Sequence, residues 1–428
     1  MVGDGVTGIG DNVFSEFTSL ESVEIPRTVE VISDTAFPNT DFTIYGYASG
    51  AAEAYADANN KEFLLKELRI LSIGNSHTSD HGRWNEEIWR DVADAGIETE
   101  IVYERVTNGG HGMYYSASTD SAGYAKSHYV QAQNPLSTNY TSYAKVTNGE
   151  WDLVLIQDYR ESCVGRESFV DEMAETTKWL RAAQPNAKIG WIVDWNDRTD
   201  SRDRAVLQQK FYDNTVATVN KVQAMTADAP DYIIPMGTAM QNARTTYLWD
   251  VMNAAGCCAN EEYTMGKETN YNVLERDNTH LSLELGRYMM GAAVFGYIYD
   301  LYQDKLIGGD SVDFCDSLKT MPVEAGKNEW KGEFTQSIWD IVEETTENTI
   351  RNPWTITNSV FTVDPAIAMA EEVANAEYSD FTTAGIVNTI KSLDGGFTVT
   401  EDDVTIDGDT ATVTFLYGYS EKTVTIKK

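Results

Sequence analysis

Between residues 66 and 306 five short apolar runs, LRILSIG, IETEIVYE, WDLVLIQD, AKIGWIVDW and DYIIPMG, alternate with amphipathic stretches such as WNEEIWRDVADAG, ESFVDEMAETTKWLRAAQP and SRDRAVLQQKFYDNTVATVNKVQAM. Runs of Val, Ile and Leu without polar alternation belong to strands covered on both faces, and strands separated by helices pair in parallel. The pattern predicts an α/β fold with three α/β/α layers. Residues 109–150, rich in Tyr, Ser, Asn and Gly, break the rhythm and read as a long functional insertion.

The flanks follow other rules. In the first sixty residues Val6, Ile9, Asp11 and Phe14 recur as Val29, Ile32, Asp34 and Phe37, an offset of 23. Apolar positions repeating with a period in the twenties mark a solenoid, whose units bury one another's edges. Two repeats are few for a stable solenoid, so residues 1–65 read as the end of a longer array; they also suit a small β-rich cap on the next domain. The α/β domain is expected over 66–350. After a linker at 351–357, residues 358–428 offer one short helix, DPAIAMAEEVANAE, then alternating strands with a hairpin turn at Asp407-Gly408, a small β-rich module.

Charge narrows the partners. With 67 acidic against 32 basic residues, a formal net charge of -35, the surface repels nucleic acid phosphates and anionic bilayers. No apolar run approaches the roughly 20 residues that cross a membrane. The start, MVGDGVTGIG, lacks the basic and apolar regions of a signal peptide and opens inside a patterned segment, as a fragment would with its export signal upstream. Cys163, Cys257, Cys258 and Cys315 are too few and too irregularly spaced for a disulfide framework or zinc site and read as free or partly buried thiols. No phosphate-binding loop or dinucleotide fingerprint occurs, and TEDDVTIDGDT lacks EF-hand spacing, so neither a cofactor nor a metal is expected.

The apolar run LRILSIG leads straight into Asn75-Ser76. In a parallel sheet ligands gather beyond the carboxyl ends of strands, so Ser76 is expected at the reactive edge, with Gly74 allowing a sharp turn. A serine there is also a common helix N-cap. About two hundred residues later comes Asp277-Asn278-Thr279-His280, ahead of the helical run LSLELGRYMMGAAVFGYIYDLY. A serine hydroxyl needs a base to take its proton, and the imidazole needs a carboxylate to fix its tautomer; a DxxH turn supplies both, although it can equally be a plain helix start.

Together, ILSIGNSHT, the glycines of VTNGGHGM, WDLVLIQD and DNTH stand in the order of the SGNH (GDSL-like) hydrolase blocks, and residues 68–301 resemble that superfamily. PMGTAMQNARTTY and HLSLELGRYMMGAA add similarity to a bacterial subgroup close to carbohydrate and sialate O-acetylesterases, while residues 1–65 resemble bacterial surface leucine-rich repeats. The resemblance implies that Ser76 attacks an ester carbonyl, His280 shuttles the proton and Asp277 orients His280. The oxyanion would be held by the amides of Ser76 and Gly110 and by the side chain of Gln157, which stands where the superfamily has Asn.

Asn75, Gly109, His111, Trp195 and Arg244 are further candidates for binding substrate, Trp195 as a flat face for a sugar ring and Arg244 for a carboxylate or hydroxyl. A structural ion pair suits Arg244 as well, and His77 is expected to pack away from Ser76. The expected function is an extracellular or cell-surface esterase removing small acyl groups, chiefly acetyl, from carbohydrate, with the flanking modules attaching it to a surface or glycan. Two rivals stand beside it. One is a non-catalytic glycan- or host-binding protein, which Gln157 favours and an intact Ser76, Asp277 and His280 disfavour. The other is a lipase or thioesterase of the same fold, which the polar, Tyr-rich insertion disfavours.

Overall fold

The computed structural model describes residues 1–107, 146, 148–158, 168–195, 204–251, 273–275, 280–320 and 334–428. The chain forms two compact units. The first comprises Met1–Asp194, Gln209–Met236 and Val294–Lys319, the second Trp195–Gln208, Gly237–Ala293 and Thr320–Lys428.

In the first unit the offset of 23 appears directly as register. Strand β1 (Gly8–Ile9) pairs in parallel with β3 (Val31–Ile32), Gly8 opposite Val31. Strand β2 (Ser22–Glu24) pairs in parallel with β4 (Thr43–Tyr47). The repeated phenylalanines Phe14 and Phe37 stack, with centroids 5.0 Å apart and planes at 11°. Helix α1 (Ala51–Asn59) then returns the chain, ending on Asn60 at φ 49, to a long strand, β5 (Glu62–Gly74). The boundary expected after residue 65 therefore falls inside one strand.

Strand β5 has two halves with different neighbours. Its first half pairs with β4 and its second with β6 (Glu100–Thr107) and β7 (Leu153–Gln157). Glu67 has Tyr47 across one edge and Glu100 across the other, so β4 and β7 share an edge end to end. Arg27 stitches this seam, donating to both carboxylate oxygens of Asp152 at 2.9 and 3.0 Å and to Glu67 at 3.0 Å. Burial raises the Asp152 pKa, outweighing the lowering by Arg27.

Beyond the seam the sheet continues through β8 (Lys188–Ile192) to β9 (Tyr232–Ile234), all parallel, giving the order β6-β5-β7-β8-β9. Helices α2 (Ser76–His81) and α3 (Asn85–Ala95) follow β5, α4 (Ser168–Ala183) follows β7, and α5 (Arg204–Met225) follows β8. One face of the sheet, with Leu71, Ile73, Val154, Ile156, Ile189 and Trp191, packs on Phe169, Met173 and Leu180 of α4 and on Val219 and Val222 of α5. On the opposite face Tyr103 meets Phe295 of the later helix Leu285–Tyr302 at 5.0 Å, and Phe295 meets Trp89 of α3 at 5.5 Å. Both faces are covered, which is why β7 is buried at every residue and why the apolar runs showed no alternation. Each such Leu, Ile or Phe contributes about 1.5–3 kcal/mol.

The second unit contains α6 (Met236–Ala243) from Gly237 onward, the start of α7 (Leu285–Tyr302), α8 (Gln336–Arg351), α9 (Ala366–Asn375) and α10 (Thr383–Leu393). An antiparallel sheet closes the chain: β10 (Phe397–Thr398), β11 (Val404–Asp407), β12 (Thr410–Tyr417) and β13 (Ser420–Lys427). Strand β12 pairs with β13 on its whole length and with β11 and β10 in succession.

Two details depart from the sequence reading. The segment before β10 forms a second helix, α10, capped by the Thr382 side chain accepting from the Gly385 amide, with Ile386, Val387 and Ile390 buried. The hairpin turns on Gly408-Asp409, one residue later than expected, because Asp407 still pairs with Thr410 and Gly408 takes the positive φ of 61.

Candidate active site

The order β6-β5-β7 reverses direction at β5, so the crevice beyond the carboxyl ends of β5 and β7 is the topological switch point where such sheets take ligands. The chain delivers Asn75 and Ser76 there from β5 and Gln157 from β7. Asp194 follows close behind β8.

Asn75 leaves the strand at φ -115, ψ -150 and caps α2, its side chain accepting from the His77 amide at 3.0 Å. It was expected among the substrate contacts, but it is buried and its oxygen is committed to the helix. Ser76, half-buried, opens α2. Gly74 is required by space rather than by φ. A Cβ there would lie 2.2 Å from Thr78 Oγ1 and 2.8 Å from both the backbone oxygen and Oε1 of Gln157.

Gln157 is 1% exposed, and its amide is used inward. Oε1 accepts from the Asn75 amide at 3.2 Å and the Thr78 hydroxyl at 3.0 Å, while Nε2 donates to the Asp158 carbonyl and, at 3.1 Å, to Asp194 Oδ2. A backbone N–H can only donate, so the atom facing Asn75 is the oxygen, which fixes the orientation of the amide. Both amide hydrogens point at protein acceptors, and the role of oxyanion donor expected for Gln157 is not the one its geometry serves. The cause is the longer side chain, which carries the amide past the crevice to Asp194.

His77 is buried as expected, with Nδ1 2.6 Å from Asp194 Oδ2. Below it His81 donates from Nδ1 to the His77 carbonyl at 3.0 Å, and its buried Nε2 has no partner among the described residues. Burial lowers the His81 pKa to about 4, the hydrogen bond to His77 opposing and Arg105 assisting. Asp194 escaped the sequence reading; its signal was a carboxylate between the buried tryptophans of AKIGWIVDW at a strand end.

The second unit holds His280 in a stem whose construction is visible on both sides. Glu275 and Leu281 form an antiparallel bridge, Ser282 donates its amide to the Leu274 carbonyl at 2.8 Å and its hydroxyl to the Val273 carbonyl at 2.6 Å, and the Gly286 amide returns to Ser282 Oγ at 2.7 Å. A Cβ on Gly286 would lie 2.1 Å from the Leu274 carbonyl oxygen, so α7 starts with glycine against the stem. His280 is half-buried beside Leu281.

Arg244, expected to bind substrate, instead donates to Glu275 at 2.7 Å with both side chains buried, and lies over the Trp249 ring at 5.0 Å. It secures Glu275 in the stem ahead of His280. Trp195 is 0% exposed and offers no face to a sugar; Trp191 belongs to the core. Asp277, Gly109, Gly110 and His111 lie outside the described residues, as do Cys163, Cys257 and Cys258. Cys315 is buried. Among the described residues no group of three His, Cys, Asp or Glu could hold a metal, and no helix is long and apolar enough to cross a membrane.

No family model matches the chain, and neither does any curated protein. Among solved structures it is similar to a DUF4886 family protein from Bacteroides uniformis, at 17% identity over 69% of this chain and 100% of that one, with a TM-score of 0.45. A provisionally assigned SGNH hydrolase from Slackia heliotrinireducens aligns at 15% identity over 51% of this chain and 91% of that one, TM-score 0.28. A family two carbohydrate esterase from Clostridium thermocellum, in complex with cellohexaose, aligns at 11% identity over 39% of this chain and 53% of that one, TM-score 0.25. At these identities and TM-scores the likenesses carry no argument about function.

Proposed function

We propose that this protein is a serine ester hydrolase that removes small acyl groups, chiefly acetyl, from carbohydrate, with Ser76 as nucleophile, His280 as base and Asp277 as the acid that orients it. The observation that carries the reading is the position of Ser76, at the first turn of α2 beyond the carboxyl end of β5, on the switch point of a five-stranded parallel order. The DxxH spacing and the resemblance to SGNH hydrolases supply the rest of the triad.

In this reading Ser76 Oγ adds to the ester carbonyl as His280 takes its proton, the alcohol leaves with that proton, and water repeats the sequence on the acyl-enzyme. The oxyanion donors are the amides of Ser76 and Gly110. The protein acts outside the cell or on its surface, and the flanking modules bring it to a surface or glycan. A second reading, glycan binding without turnover, draws on the commitment of the Gln157 amide to Asp158 and Asp194.

Acetate release from p-nitrophenyl acetate and from acetylated xylan decides between them. The wild type is expected to turn over both and Ser76→Ala neither. A wild type no faster than Ser76→Ala on either substrate removes the esterase reading and leaves binding, which titration with the same xylan would then measure.

A further inference from the structure

The residues on either side of Ser76 are tied to the same two side chains. Asn75 gives its amide and Thr78 its hydroxyl to Gln157 Oε1, and His77 meets Asp194 Oδ2, the oxygen that also receives Gln157 Nε2. Asn75, His77, Thr78, Gln157 and Asp194 are all buried. An oxygen already accepting from an amide N–H takes the imidazole as a second donor, which puts a proton on His77 Nδ1. The ties cross 82, 79 and 117 residues of sequence, from the turn after β5 to the ends of β7 and β8.

We propose that Gln157 and Asp194 are positioning residues, a buried clamp that sets the direction of the Ser76 hydroxyl by holding both flanks of the turn. The inference rests on the reading of Ser76 as nucleophile. Gln157 carries both an acceptor for the turn and a donor for Asp194 on one side chain. An Asn, one methylene shorter, would fall short of one of them, which gives a physical reason for glutamine here. Gly74 belongs to the same device, since the absent Cβ leaves the space that Gln157 Oε1 and Thr78 Oγ1 occupy. Neither Gln157 nor Asp194 needs to touch substrate, so their loss acts on the geometry of attack and not on binding.

The test is steady-state kinetics on p-nitrophenyl acetate together with the rate at which a fluorophosphonate labels Ser76, in the full chain. Asp194→Ala and Gln157→Ala are expected to lose about 10²-fold in kcat and in labelling rate, the scale of an ångström of misplacement, with KM unchanged. Asp194→Asn is expected to recover most of both, because its amide oxygen still accepts from His77 and Gln157. Leu180→Ala, a core truncation away from the turn, is expected to lower Tm and keep kcat, separating lost stability from lost positioning. If Asp194→Ala does not fold, Gln157→Ala and Asp194→Asn decide. Wild-type kcat in Gln157→Ala overturns the clamp, and so does an Asp194→Asn as slow as Gln157→Ala, which would assign the effect to charge. A wild type with neither turnover nor labelling overturns the nucleophile reading itself, a result distinct from an active wild type with indifferent variants.

Discussion

The turn that carries Ser76 and the stem that carries His280 do the same job, presenting one side chain ahead of a helix, by opposite means. The turn is held by neighbours 79 to 117 residues away, through bonds that converge on Gln157 and Asp194. The stem is held locally, by Glu275 against Leu281, Ser282 against Val273 and Leu274, and Arg244 against Glu275 only 31 residues off. The turn therefore cannot be shaped until the sheet has formed, whereas the stem's contacts close over short loops. Stability and function should separate accordingly: damage to the stem costs stability along with the placement of His280, damage to the turn mainly rate.

The sharpest break is at the stem's ion pair. Glu275→Ala leaves the Arg244 guanidinium buried without this carboxylate and is expected to cost about 3–5 kcal/mol in urea unfolding, whereas Arg244→Met with Glu275→Leu together should be nearly neutral. A single Glu275→Ala costing no more than a surface change would show that the stem does not depend on the pair.

At the turn, the largest stability effect comes from pH. His81 has a folded pKa of about 4 against 6.5 in the unfolded chain, so the unfolded state takes up the proton first. Its contribution is complete above pH 6.5 and is lost as pH falls toward 4, amounting to about 3 kcal/mol. His81→Asn, which keeps a donor for the His77 carbonyl, should remove that share of the slope in Tm against pH. An unchanged slope would place the sensitivity elsewhere.

Gly74→Ala comes next, with about 1–3 kcal/mol of overpacking as Thr78 and Gln157 are pushed aside. Its kcat should fall by far more than its stability, which sharpens the comparison; equal retention of both would blunt it. The smallest effect is Asn75→Ala, about 1 kcal/mol for a lost cap, measured by thermal unfolding.

Much of this was legible in the sequence, and the boundary of legibility follows the same division. The five apolar runs became β5 to β9, most plainly at β7 and β8, where a strand buried on both faces declares itself in its own residues. The offset of 23 became the register of Gly8 on Val31. Helix α10 was missed because FTTAGIVNTIKSLD has the β-branched content of a strand, and only the Thr382 cap and the burial of Ile386 and Ile390 make it a helix. Arg244 was ambiguous because nothing in QNARTTY says that Glu275 lies opposite. Gln157 and Asp194 were beyond reach as a pair, since their meaning depends on β7 and β8 lying side by side and on which atom of an amide faces a backbone N–H.

The most direct test of the central claim is the site of covalent modification. The full chain treated with a fluorophosphonate and digested should show, by mass spectrometry, one phosphonyl adduct on Ser76 within the peptide containing SIGNSHT, and Ser76→Ala should carry none. An adduct on another serine, or no adduct on a protein that still releases acetate, would contradict the assignment of Ser76 as the nucleophile.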